Sequence, residues 1–437
     1  MNFQNNINVC VCGHTQIGKS TIVGRLLVEL GKISSSELKK YREKASLLGE
    51  EKHVYAMLVH TSKEEDEIKK TQYPSYARID FSNKIITLID TPGHQIYYKN
   101  MIFGIFQADC AILVVEAPKG PQEETFSVLR ILKGFDIPII SVVITKMDEI
   151  QYDMEKFDKI KIETIKVLEQ HNLASENIKF IPVSGLEGEG LVKRNILNMK
   201  DTLYTILKNL TIRILREDFP LRTTMRRSNI FKLKGIGTVG VCEIEYGTLR
   251  KKDELIFEPV STILNKKITA KVRSIQLAKG VIASPAVPIE QAYPRNIVGV
   301  AIHNSELDLH ELLSQCNNIA GLSSCPPSVT SFFEAEITVV HHPGVIPVGY
   351  KCILHPHADQ VSAEIVSILK KSRVGTTEYL EDTGAISSGE RAIVQIKSSR
   401  SVAIEESNVI PSLSKFIIRT SGIHDMIIGF GKCIKIL

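Results

Sequence analysis

Through the first half of the chain, short runs of consecutive apolar residues alternate with stretches in which apolar positions recur every three or four residues. Continuous apolar runs predict buried strands, and the helical spacing predicts amphipathic helices between them, the pattern of βαβ units around a mostly parallel sheet. The strands are predicted at Ile7–Cys12, Ala77–Phe81, Lys84–Asp90, Cys110–Glu116, Ile137–Thr145 and Lys179–Val183, and helices at Lys19–Leu30 and Met154–Gln170. After about Arg213 the pattern changes to short β-branched runs broken by turn signals at Gly235–Gly237, Tyr246–Gly247 and Asn265–Lys267, which predicts small barrels. A second break falls at Ser323–Pro327, where Pro326 and Pro327 cannot donate to a sheet. The expected architecture is an α/β domain with a doubly wound, mostly parallel sheet over 1–213, then all-β barrel domains over 214–326 and 327–437.

The length of 437 residues agrees, since one core rarely supports so many. Hydrophobic residues at 43% and charged residues at 24% exclude a disordered or fibrous chain. The longest apolar runs, Cys110–Val115 and Ile137–Ile144, fall short of the roughly 18 residues a bilayer requires, so no membrane span is expected. Residues Met1–Gly13 lack the basic segment and long apolar stretch of a secretory signal, which points to a cytoplasmic protein. The eight cysteines include no Cys-x-x-Cys pair, and Cys10 and Cys12 alternate with Val9 and Val11, so they read as buried reduced thiols. A net charge of +5 is mild for this length and permits, without establishing, contact with RNA phosphate through Arg222, Arg226, Arg227, Lys370, Lys371 and Arg373.

Three segments bring chemistry. Gly13, His14, Thr15, Gln16, Ile17, Gly18, Lys19 and Ser20, followed by Thr21, fit a phosphate loop between a predicted strand and a predicted helix. Glycines let the backbone curl so that N–H groups point inward, and the helix adds its positive N-terminal end. Lys19 then serves the β and γ phosphates, and the Ser20 hydroxyl serves Mg²⁺. The run Ile85–Ile89 ends in Asp90-Thr-Pro-Gly93-His94, with a carboxylate at the strand edge where ligands bind. Asp90 is expected to hold Mg²⁺ through water, the Gly93 N–H to sense a γ-phosphate, and His94 to stand beside the attacking water. Alone such a histidine is more often structural; its place directly after this loop reverses that reading. The third segment, Thr145-Lys146-Met-Asp148, chooses the base: Asp148 can accept from guanine N1–H and N2–H₂, whereas adenine offers an acceptor at N1. The Lys146 stem can cover the base, and Ser184, Gly185 and Leu186 can present backbone donors to guanine O6.

Taken in this order, these segments resemble the translational GTPases, particularly the elongation factor 1-alpha group and its release-factor and ribosome-rescue relatives. The stretch Asp90–Val115 is similar to the family's DxPGHxxFxxNMIxGxxQADxAxLVV, and further likeness lies in Lys234–Val239 and His342–Tyr350. The resemblance implies a P-loop G domain with two barrels, and a GTPase that cycles between GTP and GDP with Mg²⁺. It makes Thr71 the switch threonine on Mg²⁺ and γ-phosphate, His94 the water-orienting group, and Lys99 and Asn100 a pair near the 5′ end of bound tRNA. It implies the ribosome and aminoacyl-tRNA as partners, or else a tRNA-mimicking release factor, together with a guanine-nucleotide exchange factor, and neither DNA nor a membrane.

The departures gather around the γ-phosphate. The family's GHVDHGKS is altered at Thr15 and Gln16, and its Arg-Gly-Ile-Thr becomes Ile68-Lys69-Lys70-Thr71. The family's apolar gate at the positions of Thr15 and Lys70 is polar here, which predicts altered intrinsic hydrolysis. Thr145 replaces an asparagine and keeps a hydroxyl where an amide would brace base and loop, and His310-Glu311 replaces an Arg-Gly pair that helps hold tRNA. The expectation is GTP-dependent delivery of aminoacyl-tRNA. The alternatives are a release or rescue GTPase carrying a protein and a weakly hydrolysing regulatory GTP-binding protein, and the sulfate-activating GTPase subunits share the architecture.

Overall fold

The computed structural model of the chain describes residues 6–60, 71–173, 176–193, 200–211, 218–277, 287–357, 359–373, 380–381, 384–421 and 426–437. The chain divides into two compact units, one over Met1–Arg213 and the other over Ile214–Ala278 and Ala286–Leu437.

The first unit is built on six strands: β1 Asn6–Cys12, β2 Ser75–Asp80, β3 Ile85–Asp90, β4 Cys110–Glu116, β5 Ile139–Thr145 and β6 Lys179–Pro182. Their order is β2-β3-β1-β4-β5-β6, with β2 antiparallel to β3 and every other pairing parallel. β1 and β4 are buried along their whole length, as a sheet covered on both faces requires. The order reverses beside β1, whose neighbours are β3 and β4, so the loop leaving its carboxyl end opens at the switch point where such sheets bind ligands.

Helix α1, Lys19–Glu29, and the helix Met154–Gln170 match the predicted spans to within one residue. Helix α2, Ser35–Leu47, was not expected, because Ala45 alone of its residues is buried and no apolar stripe announces it. A capping box starts it instead: Ser34 Oγ accepts from the Glu37 N–H at 3.2 Å, and the Glu37 carboxylate accepts from the Ser34 N–H at 3.0 Å. Helices Tyr98–Phe106, Glu123–Phe135 and Leu203–Asn209 complete the regular helices relevant to the sheet. Val9, Leu26, Ile86, Ile112 and Val143 belong to one buried apolar cluster of this unit.

In the second unit, strands Arg222–Leu233, Gly237–Tyr246, Ile297–His303, Thr269–Leu277, Glu254–Glu258 and Asn318–Leu322 pair in that cyclic order and close into a barrel. Strands Val329–Val339, Glu390–Ala403, Val361–Arg373, Lys351–Pro356, Lys415–Thr420 and Ile427–Ile436 close a second barrel in the same way. Closure satisfies the strand edges that an open sheet would expose. Phe333, Ala335, Ile337 and Val339 point inward, alternating with Glu334, Glu336 and Thr338, which are less buried. The turn signal at Gly235–Gly237 joins two strands of the first barrel, and its glycines take φ of 82° and 102°.

One basic position departs from expectation. Arg222 is buried, and its Nε donates to Glu405 Oε1 at 2.6 Å while Nη1 and Nη2 donate to the carbonyls of Cys325 and Pro326 at 3.0 and 3.1 Å. Ser328 Oγ adds a bond to Glu405 Oε2 at 2.8 Å. Arg222 is therefore a fastener between the two barrels and is withdrawn from any RNA surface. Arg227, Lys370 and Arg373 are exposed, Lys371 reaches the Ala385 carbonyl at 3.0 Å, and the Arg226 side chain lies outside the described residues. Six cysteines are buried as expected, but Cys316 is half-buried and Cys325 is exposed. Among the described residues no helix is long and apolar enough to cross a membrane.

Candidate functional site

The phosphate loop leaves β1 and turns through left-handed conformations at Gly13, Gln16 and Gly18, with φ of 146°, 59° and 95°. Gly13 is obligatory, since a Cβ there would stand 2.5 Å from Val114 O. Gln16 holds the same region with a side chain, a strain that the surrounding loop must sustain. The loop after β3 lies directly on the phosphate loop: a Cβ on Gly93 would meet Lys19 Nζ at 2.5 Å and Gly13 O at 2.7 Å.

At this junction the expected magnesium ligands come together. Ser20 Oγ donates to Asp90 Oδ2 at 2.6 Å and lies 3.0 Å from Thr71 Oγ1. Two hydroxyls and a carboxylate form the hard, all-oxygen donor set that suits Mg²⁺. Lys19 is 5% exposed and donates to His14 O at 2.6 Å. Burial pushes its ammonium down to about 8, against the pull of the Asp90 carboxylate. A polyphosphate beside it favours the charged form, so above pH 8 binding must take up a proton. Affinity for GDP is accordingly expected to fall by about twofold from pH 7 to 8 and by about fivefold more from pH 8 to 9. Calorimetric titration across that range checks the sign, and a level affinity up to pH 9 contradicts it.

His94 follows Gly93 but does not line the cleft; its Nδ1 accepts from the Ile96 N–H at 3.3 Å. Lys99 and Asn100 lie on helix Tyr98–Phe106, and Asn100 Nδ2 donates to Gln72 O at 2.7 Å, which ties that helix to the residue after Thr71. Ile68, Lys69 and Lys70 lie outside the described residues.

On the base side, Thr145 is buried at the end of β5, and its Oγ1 donates to Ile17 O at 2.7 Å. The hydroxyl thus performs the bracing expected of an amide, tying the base loop to the phosphate loop. Thr145→Val leaves a buried carbonyl without that donor and is expected to weaken nucleotide binding about fivefold, the effect of one neutral hydrogen bond. Nucleotide titration reads this, and an unchanged Kd contradicts the brace. Lys146 adopts φ of 58° and its ammonium pairs with Glu116, which also meets Lys119 Nζ at 3.1 Å. Burial would raise the Glu116 carboxyl, but these two ammonium groups hold it below the usual range. Asp148, Gly185 and Leu186 line the cleft, and the buried Ser184 steadies its loop by accepting from the Glu187 N–H at 3.1 Å.

The cleft has a volume of about 300 Å³. Of the expected residues, Thr15, Gln16, Ile17, Gly18, Lys19, Ser20, Thr21, Thr71, Gly93, Thr145, Lys146, Asp148, Gly185 and Leu186 line it together, whereas Gly13, His14, Asp90 and Ser184 stand behind as support. Sequence reasoning missed Lys52, His53, Ala56 and His60, which also line it. Their segment carries no phosphate or base motif, and only its distant packing brings it here.

Residues 4–214 match the family described as elongation factor Tu GTP binding domain, and residues 332–434 the family described as GTP-eEF1A C-terminal domain-like. The chain is 35% identical over 422 residues to elongation factor 1-alpha of Nanoarchaeum equitans, covering 95% of this chain and 94% of that protein. The GTP-bound GTPase-like domain of S. cerevisiae Ski7 shares the fold at a TM-score of 0.80 and 18% identity, covering 99% of this chain and 97% of that one. Translation elongation factor SelB from Methanococcus maripaludis, in complex with a GTP analogue, shares it at a TM-score of 0.71 and 24% identity, over 100% of this chain and 80% of that one.

Proposed function

The chain belongs to the elongation factor 1-alpha family of translational GTPases, and on that premise we propose that its GTP form delivers aminoacyl-tRNA to the ribosome and releases it after hydrolysis. What supports this cargo is the extent of the likeness, which covers 95% of the chain against an elongation factor 1-alpha. In the proposed cycle Lys19 grips the β and γ phosphates, while Ser20 and Thr71 directly, and Asp90 through water, hold Mg²⁺. Held there, Mg²⁺ would supply positive charge against that developing on the phosphate oxygens. Gly93 senses the γ-phosphate, and His94, which stands outside the cleft in this structure, orients the attacking water once turned toward it. Asp148 reads guanine N1 and N2, the loop Ser184–Leu186 reads O6, and Lys146 covers the base. Lys99 and Asn100 face the cargo, and the bond from Asn100 to Gln72 O links that face to the Thr71 segment. An exchange factor restores GTP in the cytoplasm, where ribosomes are.

One observation favours a second reading, in which the cargo is a release or rescue factor. Where tRNA carriers have an Arg-Gly pair, His310 and Glu311 lie on a helical turn, Leu309–Leu313, capped by Asp308, whose Oδ1 accepts from the His310 N–H at 3.1 Å. Buried Leu309 and Leu313 set that turn so that Glu311 is exposed, adding negative charge where RNA phosphate would approach. Filter binding of charged tRNA, uncharged tRNA and a release-factor protein to the GTP-loaded and GDP-loaded chain separates the two. Retention of charged tRNA by the GTP form alone is the expected result, and retention of the release factor without tRNA overturns it.

A further inference from the structure

The cleft has a wall that neither the phosphate loop nor the base-reading loops provide. Lys52, His53 and Ala56 line it from a turn at Glu51–His53 and the following helix α3, Val54–Met57, and His60 lines it from the turn that leaves α3. α3 packs against α1 so closely that a Cβ on Gly24 would lie 1.9 Å from Tyr55 O. On an α-helix Gly24 shares a face with Ser20 and Thr21, four and three residues earlier, so the start of α3 borders the first turn of α1. That turn offers its N–H groups to phosphate.

The wall is held firmly. The Arg25 guanidinium lies over the Tyr55 ring at 4.8 Å and donates to the Tyr55 hydroxyl. The same guanidinium donates to Leu186 O at 2.8 Å and Glu187 O at 3.0 Å. Leu186 also packs against the apolar cluster of Val54, Tyr55, Met57 and Leu58. One arginine and one cluster therefore hold both the wall and the base-reading loop on α1. A nucleotide with its phosphates on the first loop and its base on the second would pass its ribose and α-phosphate along this wall. Lys52 is exposed to the cleft and forms no ion pair with a described carboxylate.

We propose that Lys52 and His53 are nucleotide-holding residues that grip the ribose and α-phosphate, the segment common to GDP and GTP. The inference rests on the nucleotide-site reading above and extends it to a part of the ligand that the sequence motifs leave without side-chain partners. Because the segment is common to both ligands, losing this grip weakens both by the same factor, unlike the loss of a γ-phosphate contact.

The test is the Kd and dissociation rate of GDP and GTP, measured with a fluorescent nucleotide on the full chain and its Lys52→Ala, Lys52→Arg, His53→Ala and Thr71→Ala variants. Lys52→Ala is expected to weaken both nucleotides by about tenfold, the factor for one charge-assisted hydrogen bond, and Lys52→Arg to recover most of it. His53→Ala is expected to weaken both by a smaller, equal factor, whereas Thr71→Ala weakens GTP alone. Unchanged binding in both wall variants, with the parent chain still binding, overturns the proposal, and so does a loss confined to GTP. A parent chain that takes up neither nucleotide overturns the underlying site reading and the wall with it.

Discussion

Asp148→Asn is expected to lower affinity for GTP by about 10²–10⁴-fold, because it removes two charge-assisted hydrogen bonds worth roughly 1.5–3 kcal/mol each. The same change is expected to raise affinity for xanthosine triphosphate. Xanthine keeps the N1–H donor but carries a carbonyl at C2, so an asparagine oxygen accepts from N1 while its amide donates to O2. The original carboxylate offers no donor to that carbonyl and repels it. Thr145 and Lys146 are untouched, so the phosphate loop keeps the bond from Thr145 Oγ1 to Ile17 O at 2.7 Å. The exchange should therefore appear as a change of base preference with the fold intact. Competition between the two triphosphates, read against thermal melting, checks both halves. A variant that binds GTP within about threefold of the parent would remove Asp148 from the base site, whatever its melting temperature.

Arg222→Met is expected to destabilise the two-barrel unit by about 3–5 kcal/mol, since it strands the carboxylate of Glu405 in a buried setting. The pair is almost fully enclosed, with side chains 4% and 2% exposed and Nε 2.6 Å from Oε1. The arginine also satisfies the carbonyls of Cys325 and Pro326, so its loss leaves buried acceptors at the crossing from one barrel to the other. Replacing both partners, Arg222→Met with Glu405→Leu, is expected to recover much of the loss, because an apolar pair of similar volume carries no desolvation cost. Denaturant unfolding of the full chain, followed by the barrel signal, measures this. Equal destabilisation by the single and double variants would show that the hydrogen bonds to the linker carbonyls matter more than the ion pair. A negligible effect of the single variant would remove the junction role altogether.

Much of the candidate cleft's lining was legible in the chain because its parts are contiguous. A phosphate loop needs glycine where φ is positive and a lysine and a serine at the start of a helix, and those demands fall within Gly13–Ser20. Asp90 and Thr145 each close a run of buried strand residues, so the apolar pattern announced both the strands and the sheet edge at which the cleft opens. The barrels were legible from β-branched runs and turn glycines, and the order of their strands was not, since it depends on pairings far apart in sequence. Helix α2 went unseen because a helix with one buried residue has no stripe to read.

What the amino-acid order determined by itself is the local chemistry: which backbone can curl around phosphate, which carboxylate can accept from guanine, and where strands end. Tertiary structure decided the fate of charges and the company each motif keeps. Arg222 and Arg227 read alike in the chain, yet one is buried on Glu405 and the other is exposed. Lys52 and His53 belong to no motif in the chain, yet the close approach of Tyr55 to Gly24 brings their segment to the candidate cleft. The physical reason is the same in both cases. A glycine's conformation and a strand's apolar period are properties of neighbouring residues, whereas burial of a charge depends on partners that only folding delivers, 183 positions away for Arg222 and Glu405.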